Sequence, residues 1–392
     1  MKLQGRSIMP AASILIKPAS ANCNISCEYC FYKCLSSNRE EYSKGFMSDK
    51  VLEELVIQAI DYAEGYLAFA FQGGEPTLAG IDFFQKVVEM QKKYNTKGLQ
   101  IENTIQTNGI IIDEEWAKFL GNNHFLVGLS LDGPKKIHDV YRKDVKGNGT
   151  FDRVMKTAAL FEKYHVDYNV LSVVTDISAQ KASYLYKFYK RNRFPFVQLI
   201  PCMDEESRNI QKKSDLYSAK TDEQKYVVES EQYGRFLCEM FDLWYEDFCR
   251  GERMDIRMFS NLAQMAAGYP AEQCGMNGCC NCYFVVEGDG SVYPCDFYCM
   301  DQWKLGTVSD SFQDMLTSER AREFVSMSEP VAQKCKGCSH FSLCKGGCRR
   351  WRESVTDGQI GLNALCRGYE IFFAYAEERI WKLGQYIQLN YS

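Results

Sequence analysis

The chain has 392 residues, of which 46% are hydrophobic and 25% are charged, and its formal net charge is −5. These values are ordinary for a globular protein, and the length suits one large domain with a smaller one. The mixed charges provide no broad basic surface, so we expect no nucleic-acid partner. No apolar run reaches the roughly 18 residues of a membrane span, and the apolar N-terminal stretch is interrupted at Lys17 and Pro18. We therefore expect a cytoplasmic protein with no membrane association.

Strand-like and helix-like patterns alternate along the first half of the chain. The apolar runs predict strands, the second ending in a glycine turn, at residues 12–17, 67–76, 100–107, 125–131, 168–174 and 195–200. Amphipathic stretches predict helices at residues 48–64, 114–121, 151–164 and 179–192. About six alternations favour a parallel α/β sheet or a partial barrel, and periodicity does not decide between them. In either fold, ligands gather at the carboxyl ends of the strands.

The second half of the chain has a different character. The charge-rich region 204–232 breaks the alternation and predicts an inserted loop or a domain junction. An amphipathic helix is predicted at 233–249, and glycine and cysteine turns, typical of a small metal-stapled domain, come after it. We therefore predict a first domain over 1–232, a linking helical region over 233–273, and a cysteine-rich domain with a C-terminal helix over 274–392.

The 18 cysteines fall into groups: four lie within residues 23–34, six within 274–299 and five within 335–366. In a cytosolic chain of this size, such grouping favours metal or redox sites over disulfides.

The first group contains a C-x3-C-x2-C motif formed by Cys23, Cys27 and Cys30. Three thiolates suit a [4Fe–4S] cluster that keeps one iron open for another ligand. A zinc site is the alternative, and it would need Cys34 as a fourth ligand. With the aromatic Tyr29 before its third cysteine, the motif resembles that of the radical S-adenosylmethionine (SAM) superfamily. The resemblance implies a partial (β/α)6 TIM-like barrel and SAM bound at the open iron.

A glycine turn follows the second predicted strand. A Gly-Gly pair alone is more often a plain turn, but at this place Gly73-Gly74-Glu75-Pro76 resembles the superfamily's GGEP element. Each of these residues alone could have a purely structural role. The assignment of a SAM site therefore depends on the order in which they occur along the chain. The SAM contacts that the resemblance implies are Tyr29, Gly73, Gly74, Glu75, Ser130, Arg142 and Met203.

The last cysteine group resembles the SPASM domain, which carries auxiliary iron–sulfur clusters. By that resemblance, the first auxiliary cluster has the ligands Cys274, Cys280, Cys295 and Cys348, and the second has Cys335, Cys338, Cys344 and Cys366. The protein would then carry three [4Fe–4S] clusters. The neighbouring cysteines leave the second ligand of the first set open by one or two residues, and no role is assigned to Cys34, Cys279, Cys282 and Cys299.

Three stretches, which begin near residues 16, 106 and 285, resemble the anaerobic sulfatase-maturating enzymes. The resemblance implies that a cysteine or serine in a C/S-x-P-x-R motif of an unfolded or nascent sulfatase is oxidised to Cα-formylglycine. It also implies an electron donor such as ferredoxin or flavodoxin.

Asp296, directly after Cys295, matches the family's proposed base, since a carboxylate can accept the substrate's hydroxyl or thiol proton at neutral pH. A structural aspartate that bonds backbone N–H groups of the cluster-binding turn is the alternative role for this residue.

Two other functions remain open. Another SPASM-type peptide-modifying enzyme, such as a thioether-forming maturase, would be expected to carry a dedicated precursor-binding domain, for which the N-terminal segment is short. A non-catalytic iron–sulfur electron carrier would need no open three-cysteine motif.

Overall fold

The computed structural model describes residues 12–203, 226–252, 254–352 and 361–391. Most of the predicted loop or junction at 204–232 lies outside the described residues, and only its last seven residues are included.

Ten strands form one sheet in the order β10-β9-β8-β1-β2-β3-β4-β5-β6-β7. Neighbouring strands from β1 to β7 are parallel, β8 pairs with β1 in parallel, and the β8-β9 and β9-β10 pairs are antiparallel. The strands are β1 (Ala12–Ile16), β2 (Tyr66–Phe71), β3 (Gln100–Thr107), β4 (Leu126–Ser130), β5 (Tyr168–Val174), β6 (Phe196–Pro201), β7 (Asp255–Ile256), β8 (Phe284–Val286), β9 (Ser291–Tyr293) and β10 (Gly306–Thr307).

The helices connect the parallel strands and then form most of the C-terminal part. They are α1 (Phe31–Ser37), α2 (Asp49–Tyr62), α3 (Ile81–Tyr94), α4 (Glu114–Asn122), α5 (Lys135–Tyr141), α6 (Phe151–Lys163), α7 (Ala182–Arg191), α8 (Ser230–Cys249), α9 (Arg257–Ala266), α10 (Phe312–Thr317), α11 (Glu319–Ser326), α12 (Gln333–Lys336), α13 (Phe341–Cys344) and α14 (Cys366–Tyr391). The strands β1 to β6 and their helices confirm the α/β class and the partial barrel.

Local chemistry explains where these helices begin. The Ser48 side chain accepts a hydrogen bond from the backbone N–H of Val51 and so caps α2, as expected for a serine before the first helical residue. Asp113 caps α4 in the same way. Five apolar residues of α2, which lie on one helix face, are buried: Leu52, Leu55, Val56, Ala59 and Ile60.

The C-terminal part continues the barrel sheet. Because β8 lies parallel to β1, the residues that follow these two strands meet at the same edge, and the backbone N–H of Lys17 donates to Val286 O at 2.8 Å. Helix α14 packs on α8 and α9. Gly234 and Gly368 allow this close approach, since a Cβ at Gly234 would lie 2.5 Å from Gly368 O.

Within the described ranges, no helix is both long enough and apolar enough to cross a membrane.

Candidate active site

The carboxyl ends of the barrel strands carry the predicted SAM-site residues. Gly73 follows β2, Ser130 ends β4 and Met203 follows β6. Parallel strands place their carboxyl ends at one edge, where the loops of a barrel form its ligand site. The structure therefore brings these predicted residues to a common edge.

The three cysteines of the first motif lie in the loop between β1 and α1. Burial raises the pKa of the Cys27 thiol to about 12, and the neighbouring Cys30 and Cys23 thiols act in the same direction. Such an effect requires the three thiols to be close together. Three thiols in one loop fit a cluster with one open iron, and cluster assembly must displace their protons.

The glycine turn is held against this loop. Gly73 and Gly74 both have positive φ, of 103° and 54°, which glycine tolerates without strain. A Cβ at Gly74 would lie 2.3 Å from Asn22 O and 2.7 Å from Ser20 O. A larger side chain there would therefore displace the loop that leads into Cys23, and not only a ligand above the turn.

The Glu75 side chain is buried, and both of its carboxylate oxygens accept hydrogen bonds. Its Oε1 accepts hydrogen bonds from Thr77 and Thr107, and its Oε2 accepts one from the backbone N–H of Asn108. Burial raises the pKa of this carboxyl although the hydrogen bonds oppose the shift. Its side chain thus supports the turn by joining it to the end of β3, and a direct contact with SAM stays a prediction.

Tyr29 and Arg142 share one carboxylate, that of Asp132. The Arg142 guanidinium donates to it from Nε at 2.8 Å and from Nη2 at 3.2 Å, and the Tyr29 hydroxyl donates to its Oδ2. Arg142 Nη1 also lies 3.9 Å from Cys27 Sγ. Two predicted SAM contacts are therefore oriented by a residue that the sequence did not single out.

The four predicted ligands of the first auxiliary cluster lie in one region of the structure, and their role as ligands stays a prediction. Burial and the neighbouring Cys280 and Cys274 thiols raise the pKa of Cys348 to about 12. Burial raises the pKa of Cys295 well above its ordinary value, with Cys348 and Cys280 acting in the same direction.

The second predicted set also lies in one region, and its role as a ligand set stays a prediction. Burial raises the pKa of the Cys344 thiol to about 11, and Cys366, Cys335 and Cys338 contribute to the shift. Two groups of four thiols, each from separate segments, fit two fully ligated four-iron clusters.

The neighbouring cysteines outside these two sets, Cys279, Cys282 and Cys299, differ in their burial. Cys279 is exposed. Cys282 is half-buried, with a pKa that burial raises to about 12 and that Cys280 affects in the same direction. Cys299 is fully buried beside Lys17 and Asp296. Among the neighbouring candidates, Cys280 is the one whose charge acts on both Cys295 and Cys348.

Asp296 follows Cys295 and is held by side chains from other elements. Its Oδ2 accepts hydrogen bonds from the Tyr32 hydroxyl at 2.6 Å and from Gln72 Nε2 at 3.2 Å. Its Oδ1 lies 3.2 Å from Lys17 Nζ, an ion pair outside hydrogen-bond geometry. Burial and the charge of Asp296 raise the pKa of Tyr32, so the phenol keeps its proton as a donor.

Sequence reasoning missed the partners of Asp296. Tyr32 is two residues after Cys30, and Gln72 directly precedes the glycine turn, so their only signal was position beside a motif. Lys17 and Glu287 each follow an apolar strand. A charge directly after a buried strand was the only feature of the sequence that pointed to these two residues.

Comparison with known proteins agrees with this geometry. Residues 18–180 match the radical SAM superfamily and residues 278–339 match the SPASM iron–sulfur cluster-binding domain. A cysteine-type anaerobic sulfatase-maturating enzyme of Clostridium perfringens is 48% identical over 95% of this chain and 98% of its own length. A serine-type enzyme of Bacteroides thetaiotaomicron is 34% identical over 92% of this chain and 88% of its own.

A solved structure, the native enzyme anSMEcpe with bound AdoMet (SAM) and Cp18Cys peptide, is 46% identical. It superimposes with a TM-score of 0.89 over 96% of this chain and 100% of its own. The chain therefore belongs to the anaerobic sulfatase-maturating enzymes of the radical SAM superfamily, with [4Fe–4S] clusters and SAM as its cofactors.

Proposed function

We propose that this chain oxidises a cysteine side chain, within a C-x-P-x-R motif of a sulfatase polypeptide, to Cα-formylglycine. The observation that carries the proposal is the position of Asp296, a carboxylate next to an auxiliary-cluster ligand and bonded to Tyr32 from the first cluster loop. Cysteine is favoured over serine because the cysteine-type relative is 48% identical, against 34% for the serine-type one.

The oxidation removes one hydrogen atom from the substrate CH2 group, the thiol proton and one electron. A carbon–sulfur double bond forms, and water then replaces the sulfur to give the aldehyde and hydrogen sulfide. When bound at Cys23, Cys27 and Cys30, the first cluster and SAM would supply the acceptor of the hydrogen atom, and an auxiliary cluster would supply the acceptor of the electron. The protein itself must provide a base for the proton.

Asp296 is that base in our proposal. Its donors are the side chains of Tyr32 and Gln72, whereas a structural turn aspartate would be expected to bond backbone N–H groups of its own turn. The side chain keeps 10% of its surface exposed, so it is not wholly enclosed by the protein. The carboxylate takes its hydrogen bonds from neutral donors and has the Lys17 ammonium beside its other oxygen, and in our proposal it accepts the proton of the bound thiol.

The cluster ligands and the SAM contacts follow the same proposal. Cys23, Cys27 and Cys30 would hold the first cluster, and the two groups of four cysteines would hold the auxiliary clusters. The SAM contacts would be Tyr29, Gly73, Gly74, Glu75, Ser130, Arg142 and Met203.

The proposal is tested by anaerobic incubation with SAM, dithionite and a C-x-P-x-R peptide, followed by mass spectrometry. Formylglycine formation replaces the sulfur, its one hydrogen and one hydrogen of the CH2 group with a single oxygen. Another SPASM-type peptide modifier, such as a thioether-forming maturase, would instead give a product that lacks two hydrogens and keeps its sulfur.

We also propose a ferredoxin or flavodoxin as the electron donor, because SAM cleavage needs an external electron. A cytoplasmic location is proposed as well, since the many thiols must stay reduced to bind iron. Replacing dithionite with a reduced donor protein, and measuring 5′-deoxyadenosine, tests the first of these proposals.

A further inference from the structure

A buried group of charges lies behind Asp296. The Lys17 side chain, 2% exposed, has its ammonium 3.1 Å from Glu287 Oε1 and 3.2 Å from Asp296 Oδ1. Nζ also lies 4.7 Å from the centre of the Tyr32 ring. A buried ammonium is costly unless it is paired, so these partners explain how a lysine can sit at the end of β1.

Glu287 is paired with a second cation at the same oxygen that faces Lys17. It is fully buried, and Arg39 Nη2 lies 2.8 Å from its Oε1. Burial alone would raise the pKa of Glu287, but Lys17 and Arg39 outweigh it and hold the pKa below its ordinary value. Two cations and two carboxylates therefore form a neutral row in the order Arg39, Glu287, Lys17 and Asp296.

The backbone and the glycine turn restrict where the Lys17 ammonium can go. The Lys17 backbone is bonded to Val286, which precedes Glu287. A Cβ at Gly73 would lie 2.4 Å from Lys17 Cε and 2.8 Å from its Cγ. The lysine stem thus occupies the space that the glycine leaves free, and its ammonium has a fixed position.

We propose that Lys17, held by Glu287 and Arg39, is a positioning residue for Asp296. The Lys17 ammonium fixes Oδ1 of the Asp296 carboxylate and offsets the charge of that carboxylate. Tyr32 and Gln72 fix Oδ2. Glu287 acts on Asp296 indirectly, by holding the Lys17 ammonium in place. This role requires no contact between the two carboxylates. This inference rests on the proposed function, because it assigns Asp296 the proton of the substrate thiol.

The test compares Lys17→Met with Lys86→Met, a matched change at an exposed lysine that pairs with Asp49. Iron content, 5′-deoxyadenosine and formylglycine are measured under anaerobic conditions with a C-x-P-x-R peptide. We expect Lys17→Met to keep its iron and to transfer deuterium from a CD2-labelled substrate to 5′-deoxyadenosine. Its kcat for formylglycine should fall by about 10–100-fold, with an unchanged peptide KM, because the base is displaced. Lys86→Met should match the wild type.

The ratio of 5′-deoxyadenosine to formylglycine distinguishes positioning from folding. Positioning raises this ratio in Lys17→Met, whereas a loss of both products in parallel with a loss of iron would overturn the inference. Glu287→Gln should give a smaller change in the same direction. Added to Lys17→Met, it should have little further effect if it acts through Lys17.

The wild type separates this inference from the proposed function. If the wild type forms no formylglycine, the proposed function fails and the inference fails with it. If the wild type is active and Lys17→Met has an unchanged kcat and product ratio, only the inference is wrong.

Discussion

At the scale of single residues, Asp296 connects the C-terminal domain with the barrel. It lies beside a predicted auxiliary-cluster ligand, yet its carboxylate contacts Lys17 after β1, Tyr32 after the first cysteine motif and Gln72 after β2. These partners come from the barrel, so the carboxylate lies where the barrel meets the C-terminal domain.

Asp296→Asn should separate hydrogen abstraction from proton removal. The amide keeps the shape but cannot act as a base, so formylglycine formation should fall by about 10²–10⁴-fold. Iron content, SAM cleavage and deuterium transfer to 5′-deoxyadenosine should persist, measured by mass spectrometry of both products. Wild-type yield together with normal iron content would mean that Asp296 is neither the base nor needed for the cluster-binding turn.

At the scale of elements, the loop after β4 is tied to α5 and α6 through a buried histidine. His138 Nδ1 accepts from the backbone N–H of Asp132 at 3.2 Å, and its Nε2 lies 2.9 Å from Thr150 Oγ1. Thr150 donates its own proton to Arg142 O, so it must accept one from His138. The ring is therefore neutral, with its proton on Nε2.

This arrangement predicts a pH-dependent stability. Burial lowers the pKa of His138 to about 4, below the value of about 6.5 expected for the unfolded chain. The contribution of His138 to the free energy of unfolding is complete above about pH 6.5. It is lost progressively as the pH falls towards 4, because His138 then binds a proton in the unfolded chain but not in the folded one. The full loss amounts to about 3 kcal/mol.

Thermal unfolding of the cluster-loaded protein across this range checks the prediction. His138→Gln keeps a donor and an acceptor but does not titrate, so the difference in melting temperature between the two proteins should shrink or reverse as the pH falls. A pH-independent difference would show that His138 has the same pKa in the folded and unfolded protein, which contradicts the prediction.

The elements themselves were largely predictable from the sequence. Strands β1 to β6 lie in β-like runs that alternate with helical stretches, so local pattern predicted these strands and a parallel sheet or partial barrel. Strand β7 has two residues and gave no pattern. The pairing of β8 with β1 joins residues 270 positions apart at Lys17 and Glu287, and no local property of either segment indicates it.

At the scale of the whole molecule, an arginine joins the two cluster-binding regions. The guanidinium carbon of Arg350 lies 4.7 Å from the ring centre of Phe31 and 3.8 Å from that of Phe297. Phe31 follows the predicted ligand Cys30, and Phe297 lies two residues after Cys295. Contacts of this kind, between a cation and aromatic faces, fix the first cluster loop against the C-terminal domain.

Two adjacent cysteines provide a test of the cluster assignment. Three clusters require about twelve irons, at four per cluster. Cys280 lies with Cys274 and Cys348, whereas Cys279 is exposed. Cys280→Ser should therefore lose about four irons from the reconstituted protein, and Cys279→Ser should keep them all. The opposite pattern in an iron assay would shift the ligand by one position.

Formylglycine formation from cysteine by this chain should begin with abstraction of a side-chain hydrogen. A C-x-P-x-R peptide whose cysteine carries a CD2 group, incubated anaerobically with SAM and dithionite, tests this step. We predict that one deuterium moves to 5′-deoxyadenosine, while the peptide loses its sulfur and keeps the other deuterium on the aldehyde carbon. A peptide that retains both its sulfur and its two deuterium atoms, although SAM is cleaved, would contradict this mechanism.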